Sequence, residues 1–392
     1  MHFGLAISPP MKTSLPDGHH IVHLAGVVTD AVFSLLGPMT EVQAELGMEQ
    51  TVILVDAPAH RHLLPRFHPT IRLVLMPGET GPLRRINRSL RALLTVIEAQ
   101  PTRSVHLHGF IPSLVGTYAK RFHGLSQTLY FSPHGSRLLK PITAVSALTV
   151  FLLKPVVRLS DQRTIANSSF DATALKRVTN DKIPIVESPV DAAFFCATRH
   201  EARRPLLITG SRSRNRADAA MFAQLAVLLG EESLEVSCNW LGTADDDSLA
   251  RLSAANVAVF DVTDASERAS RLSAAWVYVA FGGELGFPVF LTEAMAAGLP
   301  CVVWDTPYHR QVIEEGVTGH CCGTYPAFLA CIARLIDSPE ERQRLGSAAR
   351  VEAQRRFDGK KFRDAYLAAY HAAPPKAEAV ERSGRTLGKS SI

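Results

Sequence analysis

Short apolar runs alternate with longer stretches of helical periodicity along most of this chain. Residues 3–8, 51–55, 71–76, 104–108, 128–132 and 183–187 read as strands, and residues 19–36, 83–99, 114–122, 144–159 and 170–178 space their apolar positions as helices do. Strands separated by helices imply parallel pairing, because each return to the starting edge needs a crossover. The pattern stops near residues 189–205, where the stretch 197–204 is polar and charged. It then restarts, with strands at 205–209, 234–240, 257–262, 276–280 and 301–304 and helices at 217–229, 290–297, 325–337 and 340–356. The expected class is α/β, with two Rossmann-like doubly wound domains over residues 1–196 and 203–358 that face each other across a cleft. A further helix occupies residues 359–372, and the tail 374–392, rich in Pro, Ala, Ser and charge, is expected to be disordered.

Composition narrows the partners. A chain of 392 residues exceeds one typical core, in keeping with two domains. The net charge of +5 is not gathered into a Lys/Arg stripe interleaved with aromatic residues, so nucleic acid is not an expected partner. The six cysteines Cys196, Cys238, Cys301, Cys321, Cys322 and Cys331 lack zinc-site spacing, and a reducing compartment fits them better than a disulfide framework. The first ten residues lack the charged start and apolar core of a signal peptide, and no apolar run reaches the ~20 residues of a spanning helix. A cytoplasmic protein is expected, with any membrane contact peripheral and on the inner face. On helix 83–99, Arg84, Arg88 and Arg91 share one face: the helix either lies on anionic lipid or packs its apolar side on its own sheet. Arg137, Lys140, Lys154 and Arg158 surround the apolar run 142–153 and add weight to a lipid-facing patch.

The densest chemistry lies in residues 281–298, where a Gly-rich loop follows a strand and opens a helix. Free backbone N–H groups and the positive end of the helix dipole suit a phosphate-bearing ligand there. Gly283 and Gly286 let the backbone approach it closely. Glu284 and Glu293 can accept hydrogen bonds from sugar hydroxyls, although a carboxylate in the first helical turn also suits the dipole. The loop 210–216 follows the second domain's first strand and carries Arg212, Arg214 and Arg216, of which one or two can be aimed at a diphosphate. In the first domain, two strand-end loops present His134 with Gly135, and His108 with Gly109, to the cleft. A lone histidine is usually structural; two at equivalent strand ends point to a site. No carboxylate sits beside them at useful spacing, so no metal is expected. His60 and His62 fall in an exposed connection. The loop 9–18 after the first strand reaches toward an acceptor, with Gly18 opening the next helix.

The run Gly286-Phe287-Pro288, Glu293-Ala294-Met295-Ala296 and Gly298-Leu299-Pro300 resembles the signature of the retaining GT-B glycosyltransferases of family 4. Glu315-Gly316-Val317-Thr318-Gly319 is similar to the family's acidic-Gly-x-Thr-Gly turn, residues 165–169 to its strand-to-Ser element, and Val190-Asp191 with Phe195 to the segment before its linker. The resemblance implies a GT-B fold whose last helix crosses back to the first domain, and transfer with retention and without a metal or other cofactor. It further implies that Glu293 binds the nucleotide ribose and Glu284 the donor sugar, that amides near Gly286 and Phe287 hold sugar or phosphate, that Arg216 meets the diphosphate, and that His134 contacts the reacting centre. The chain departs from the pattern at three places. Eight residues separate Glu284 from Glu293, one more than the family spacing, which puts Leu285 at the acidic position. Pro288 replaces a glycine, and Ser211 occupies the slot of a phosphate-binding arginine, for which Arg212 can substitute.

The expected function is transfer of a sugar from a nucleotide-sugar donor to a glycan or lipid-linked acceptor, with His134 and Glu284 catalytic, Arg212, Arg216, Gly286, Phe287 and Glu293 on the donor, and Gly18, His108 and Gly135 on the acceptor side. Two alternatives stand beside it. A nucleotide-sugar epimerase uses the same fold and needs no acceptor. A catalytically silent subunit that recognises a nucleotide sugar or glycan would fit the altered Glu spacing and Ser211.

Overall fold

The computed structural model describes residues 20–78, 81–134, 161–176, 179, 182–211, 216–232, 234–282 and 287–371. The first sheet comprises β1 His20–Ala25, β2 Glu49–Val55, β3 Arg72–Met76, β4 Thr102–His108, β5 Thr128–Ser132 and β6 Arg163–Thr164, with helices α1 Asp30–Glu45, α2 Pro82–Ala99, α3 Phe110–Phe122 and α4 Ser169–Leu175. After a short helix α5 Ala192–Cys196, the second sheet is built from β7 Leu206–Gly210, β8 Ser237–Leu241, β9 Val257–Phe260, β10 Val277–Ala280, β11 Cys301–Trp304 and β12 Gly319–Cys322. Its helices are α6 Arg216–Glu231, α7 Asp246–Ala254, α8 Ala265–Ala274, α9 Val289–Ala296, α10 Pro307–Arg310, α11 Tyr325–Asp337 and α12 Pro339–Phe357, and α13 Gly359–His371 ends the described chain.

Every named pairing is parallel, and the two sheets share one strand order. The first runs β3-β2-β1-β4-β5-β6 and the second β12-β11-β10-β7-β8-β9. Each sheet grows one way from its opening strand and then restarts on the other side of it. The reversal therefore falls between β1 and β4 in one domain and between β7 and β10 in the other. Crossovers on either side of such a reversal cover opposite faces, which leaves a crevice at the carboxyl ends of those strands. The expected α/β class, two doubly wound sheets, is what the chain adopts.

Three local expectations are corrected. Residues 19–36 were expected to form one helix, but His20–Ala25 is a strand at the centre of the first sheet, and α1 begins only at Asp30. All six strand residues are buried, so the run lacks the alternation of a half-exposed strand, and His20 and His23, three apart, imitate helical spacing. Gly18 consequently precedes a strand and does not open a helix; the residue itself lies outside those described. Residues 183–187 make only an isolated bridge, Ala166 to Ile185, just past the end of β6, because Pro184 has no N–H with which to extend a ladder. The expected strand 3–8, helix 144–159 and tail 374–392 lie outside the described residues.

The chain's last helix packs on the first domain. Phe362, Tyr366 and Ala369 of α13 share a core with Leu35, Met39, Val42 and Tyr130. The return is fixed where α12 hands over to α13: the Val190 N–H donates to the Phe357 carbonyl at 2.9 Å, and Arg356 pairs with Glu187. Facing surfaces of the two domains also touch, with the Phe170 ring 4.6 Å from that of Tyr308 and the Phe170 N–H donating to Gln311. Among the described residues no helix is long and apolar enough to cross a membrane.

Helix α12 lies across the turn that ends α9, and Gly346 makes the contact. A Cβ at Gly346 would stand 2.2 Å from the Gly298 carbonyl oxygen, a backbone atom with nowhere to retreat. Alanine in a helix interior ordinarily gains about 1 kcal/mol over glycine. Overpacking against rigid backbone costs about 1–3 kcal/mol, so the clash should win. Gly346→Ala is expected to lower the thermal midpoint by a few degrees; a raised midpoint would show that α12 shifts freely.

Candidate active site

In the second domain the chain leaves β7 and β10 at the carboxyl edge, on either side of the strand reversal. Gly210 ends β7, and a Cβ there would sit 2.1 Å from Phe290 Cδ1, so glycine is what allows α9 to pack directly over the strand end. Helix α9 starts at Val289 without a side-chain cap, since Pro288 occupies the cap position. Its first amides are therefore not claimed by a capping side chain. Phe287, just before it, turns its ring into the core, edge-on to Phe357 at 5.4 Å, and can meet a ligand only through its backbone. Glu284 and Gly286 of the Gly-rich loop, and Arg212 of the β7 loop, lie outside the described residues.

Two expected donor-binding side chains are engaged within the protein. Glu293 is 3% exposed and accepts from Arg268 Nε at 3.2 Å and Nη2 at 2.9 Å. Arg268, equally buried, also donates to the Thr263 carbonyl and lies over the Phe194 ring. This ion pair ties α8 to α9 from below. Arg216, the first residue of α6, pairs with Asp245 at 2.5 Å and Asp247 at 3.2 Å on an open surface. The Asp245 carboxyl is drawn down to about 2, by its hydrogen bonds with Ser248 and then by Arg216.

In the first domain the structure assembles a row of imidazoles beneath the carboxyl edge. Register places His23 of β1 beside His106 of β4, and His108 of β4 beside Ser132 of β5. Residues two apart on a strand share a face, so His106 and His108 join His23 on one side of the sheet, where α1 and α13 cover them. His134 follows β5 with φ of 51°, the left-handed region that non-glycine residues seldom occupy. Its Nε2 lies 2.8 Å from His108 Nδ1, His108 Nε2 lies 3.0 Å from His23 Nδ1, and His23 Nε2 lies 2.7 Å from Gln43 Oε1. His106 stacks on His108 at 4.2 Å and bonds Ser132 at 2.9 Å and the Tyr370 hydroxyl. Burial holds His23 and His134 down to about 4, and holds His106 and His108 well below the ordinary imidazole value. All four are neutral at pH 7. His134 Nδ1 is buried and has no hydrogen-bond partner among the described residues.

The ligand atoms of His23, His106 and His108 come within 4.8 Å of one another, a spacing that brings metal binding to mind. Each ring nitrogen of the three is already taken up by a hydrogen bond. A metal would have to break several of them in a fully buried place, so the donor set fits an ion poorly. A cavity of about 410 Å³ lined by His20, Glu49 and Arg72 lies at the opposite, amino edge of this sheet, away from the row.

The structure thus brings His108 and His134 together, as their strand-end positions suggested, while Gly135 and Gly18 lie outside the described residues. His23 carries no signal while residues 19–36 read as one helix, and Gln43 falls beyond that expected helix, in the part of α1 that the pattern does not mark. His106 was legible as the inner member of a His-x-His strand motif. Arg268, the partner of Glu293, carried no signal: an arginine on an otherwise polar helix looks exposed.

Residues 203–352 match the family model described as glycosyl transferases group 1. Over 99 residues the chain is 37% identical to the phosphatidyl-myo-inositol mannosyltransferase of Mycobacterium leprae, a stretch that is 24% of this chain and 26% of that protein. The curated relatives it matches are covered over 22% to 30% of their own length. Among solved structures, sucrose-phosphate synthase from Thermosynechococcus elongatus superposes with a TM-score of 0.73 at 16% identity, covering 90% of this chain and 98% of that one. HepE from Anabaena, in complex with UDP and glucose, gives 0.72 at 15% identity, covering 90% and 99%. The chain has the two-domain GT-B fold of glycosyltransferases, and its second domain is similar to the group 1 family.

The neutral imidazoles make stability depend on pH in one direction. Their folded pKa values lie below the unfolded value of about 6.5, so in acid the unfolded chain binds protons that the folded chain refuses. Stability should be full above about pH 6.5 and fall steadily toward pH 4. Urea midpoints measured across that range check it; a flat profile would mean that these rings are not neutral and buried.

Proposed function

We propose that this chain is a glycosyltransferase that moves a sugar from a nucleotide diphosphate donor to a glycan or lipid-linked acceptor, with retention of configuration and without a metal. The observation that carries the reading is the coincidence of the group 1 match, residues 203–352, with a strand reversal whose carboxyl edge holds the uncapped N-terminus of α9, which the Gly-rich stretch precedes in the sequence. Such an edge is where a diphosphate is best received. The neighbour HepE, which binds UDP and glucose, points to a uridine diphosphate sugar as the first donor to try.

In this reading the bond between the anomeric carbon and the diphosphate oxygen breaks, and the acceptor oxygen takes its place. The acceptor's proton leaves with the nucleotide. Amides near Gly286 and Phe287 and the α9 dipole meet the charge that develops on the phosphate. Arg212, by its place in the sequence, is assigned to the same charge. Arg216 joins by giving up Asp245 and Asp247, an exchange that costs little because its side chain is 68% exposed and water screens such a pair. The family resemblance assigns Glu284 to the donor sugar and Glu293 to the ribose. Because Arg268 holds the Glu293 carboxylate, that residue also fixes the tilt of α9. From the other side, His134, with Gly135 next to it in the sequence, is assigned to the reacting sugar; the buried His108 stands behind it and does not itself meet a ligand, and the stretch around Gly18 is assigned to the acceptor. The exposed Arg84, Arg88 and Arg91, with Leu83 80% exposed at the start of α2, offer a peripheral contact to anionic lipid on the cytoplasmic side; Leu90, Leu93 and Val96 on the same helix are buried against the sheet.

A thermal-shift screen of the purified chain against a panel of nucleotide sugars tests the assignment. One donor class should raise the midpoint through mass action and should be turned over when acceptor is supplied. Conversion of the donor to an isomer without acceptor would replace transfer by epimerisation, and binding without turnover would leave a recognition subunit. His134→Ala should lower kcat by about 10²-fold, the scale of losing one preorganised polar contact.

Glu293 needs a paired measurement. Glu293→Ala strands a buried guanidinium and should destabilise the fold by about 3–5 kcal/mol, so lost activity in that variant alone is ambiguous. Replacing both partners, Arg268→Met with Glu293→Leu, should recover most of the stability. If donor affinity returned with it, Glu293 would have no role toward the ribose.

A further inference from the structure

We propose that His108 and His23 are positioning residues that fix the tautomer of His134 and thereby present a hydrogen-bond acceptor, not a donor, to the bound sugar. This deepens the transferase reading and rests on it for the identity of the ligand. Gln43 is the anchor. Its Nε2 donates to the Tyr366 hydroxyl, so its Oε1 faces His23. An amide oxygen only accepts, which requires the His23 proton on Nε2. A neutral imidazole has one proton, so His23 Nδ1 must accept, and His108 Nε2–H must donate to it across 3.0 Å. By the same step His108 Nδ1 accepts from His134 Nε2–H across 2.8 Å. The proton of His134 is thus committed inward, and Nδ1 is left as a lone pair. That atom is the one found buried without a partner among the described residues.

The end of the row decides what the row can do. A carboxylate in place of Gln43 would accept a proton and let charge travel; a primary amide does not titrate. The chain therefore sets direction without conducting. His106 braces it from the side through its stack on His108 and its bonds to Ser132 and Tyr370. No carboxylate side chain takes part in a hydrogen bond of the row itself among the described residues. A lone pair at Nδ1 attracts a sugar hydroxyl and repels phosphate oxygens, which are acceptors too. This would keep the sugar, and not the diphosphate, against the first-domain wall.

Uniformly [15N]histidine-labelled full-length protein offers a direct readout, because the two ring nitrogens of each tautomer give different shifts in long-range proton–nitrogen spectra. His134, assigned by its loss in His134→Ala, should be the Nε2–H tautomer in the wild type. Gln43→Leu and His23→Phe should each move His134 toward an averaged mixture. Tyr366→Phe spares the packed ring and should do the same more weakly, which covers the case in which the buried variants fold poorly. Donor turnover should fall by about tenfold in Gln43→Leu, the upper range for one neutral hydrogen bond, with KM less affected than kcat. An Nδ1–H tautomer in the wild type, or a His134 spectrum unchanged in Gln43→Leu and Tyr366→Phe, would overturn the relay. A tautomer shift with unchanged turnover would uphold it and remove His134 from the chemistry proposed above.

Discussion

A parallel sheet returns the chain to its amino edge before each new strand, so every loop that follows a strand opens on the same side. That constraint governs the rest of this molecule. With strand order reversing beside β1 and beside β7, the loops at those points part to opposite faces and leave a crevice that no side chain has to carve. The chain leaves β10 at one of these crevices and His108 ends β4 beside the other, because of where those strands sit in the order, and His134 follows β5 one strand away. Chemistry that is far apart in the sequence is gathered at strand ends by topology alone.

The two rims solve the problem of burying polar groups differently. In the second domain a charged pair, Arg268 with Glu293, is 4% exposed on both sides and satisfied by two parallel hydrogen bonds. Such a pair is costly to desolvate and costlier to break, which suits a fixed strut between α8 and α9. In the first domain the buried polar layer is uncharged, and each imidazole satisfies the next. Neutral rings avoid the Born penalty but accept a different liability: their partners are one another, so the state of any ring constrains all of them. A strut needs strength, whereas the row needs direction.

Most of the architecture was legible in the sequence, and the reasons for the exceptions are physical. Strands such as Thr128–Ser132 and Cys301–Trp304 are short apolar runs bounded by turn residues, and their limits were read to the residue. β1 was lost because a central parallel strand, buried on both faces, has no alternation, and because two of its buried positions are histidine. The same residue type that hid the strand builds the imidazole row. The Glu293 region shows the opposite failure. Its motif was plain, but a motif lists which residues are present, not what holds them, and Arg268 lies on a helix 25 positions earlier whose surface looks polar throughout.

Helix α13 gives the first domain's wall a dependence on the far end of the chain. Tyr366 holds the Gln43 amide, Tyr370 bonds His106, and the Tyr130 ring stacks on Tyr370 at 4.1 Å. None of these contacts exists until the chain has crossed to the second domain and returned. The crossings lie side by side, joined by the bond from Val190 to Phe357 and by the Arg356–Glu187 pair, so they form a natural pivot. Rotation about that pivot would change the width of the cleft without altering the imidazole row, since every member of the row and its braces belongs to the first domain or to α13. The row around His134 is thus complete in the folded chain whatever the position of the second domain. That the wall is finished by the chain's own return follows from where one helix comes to rest.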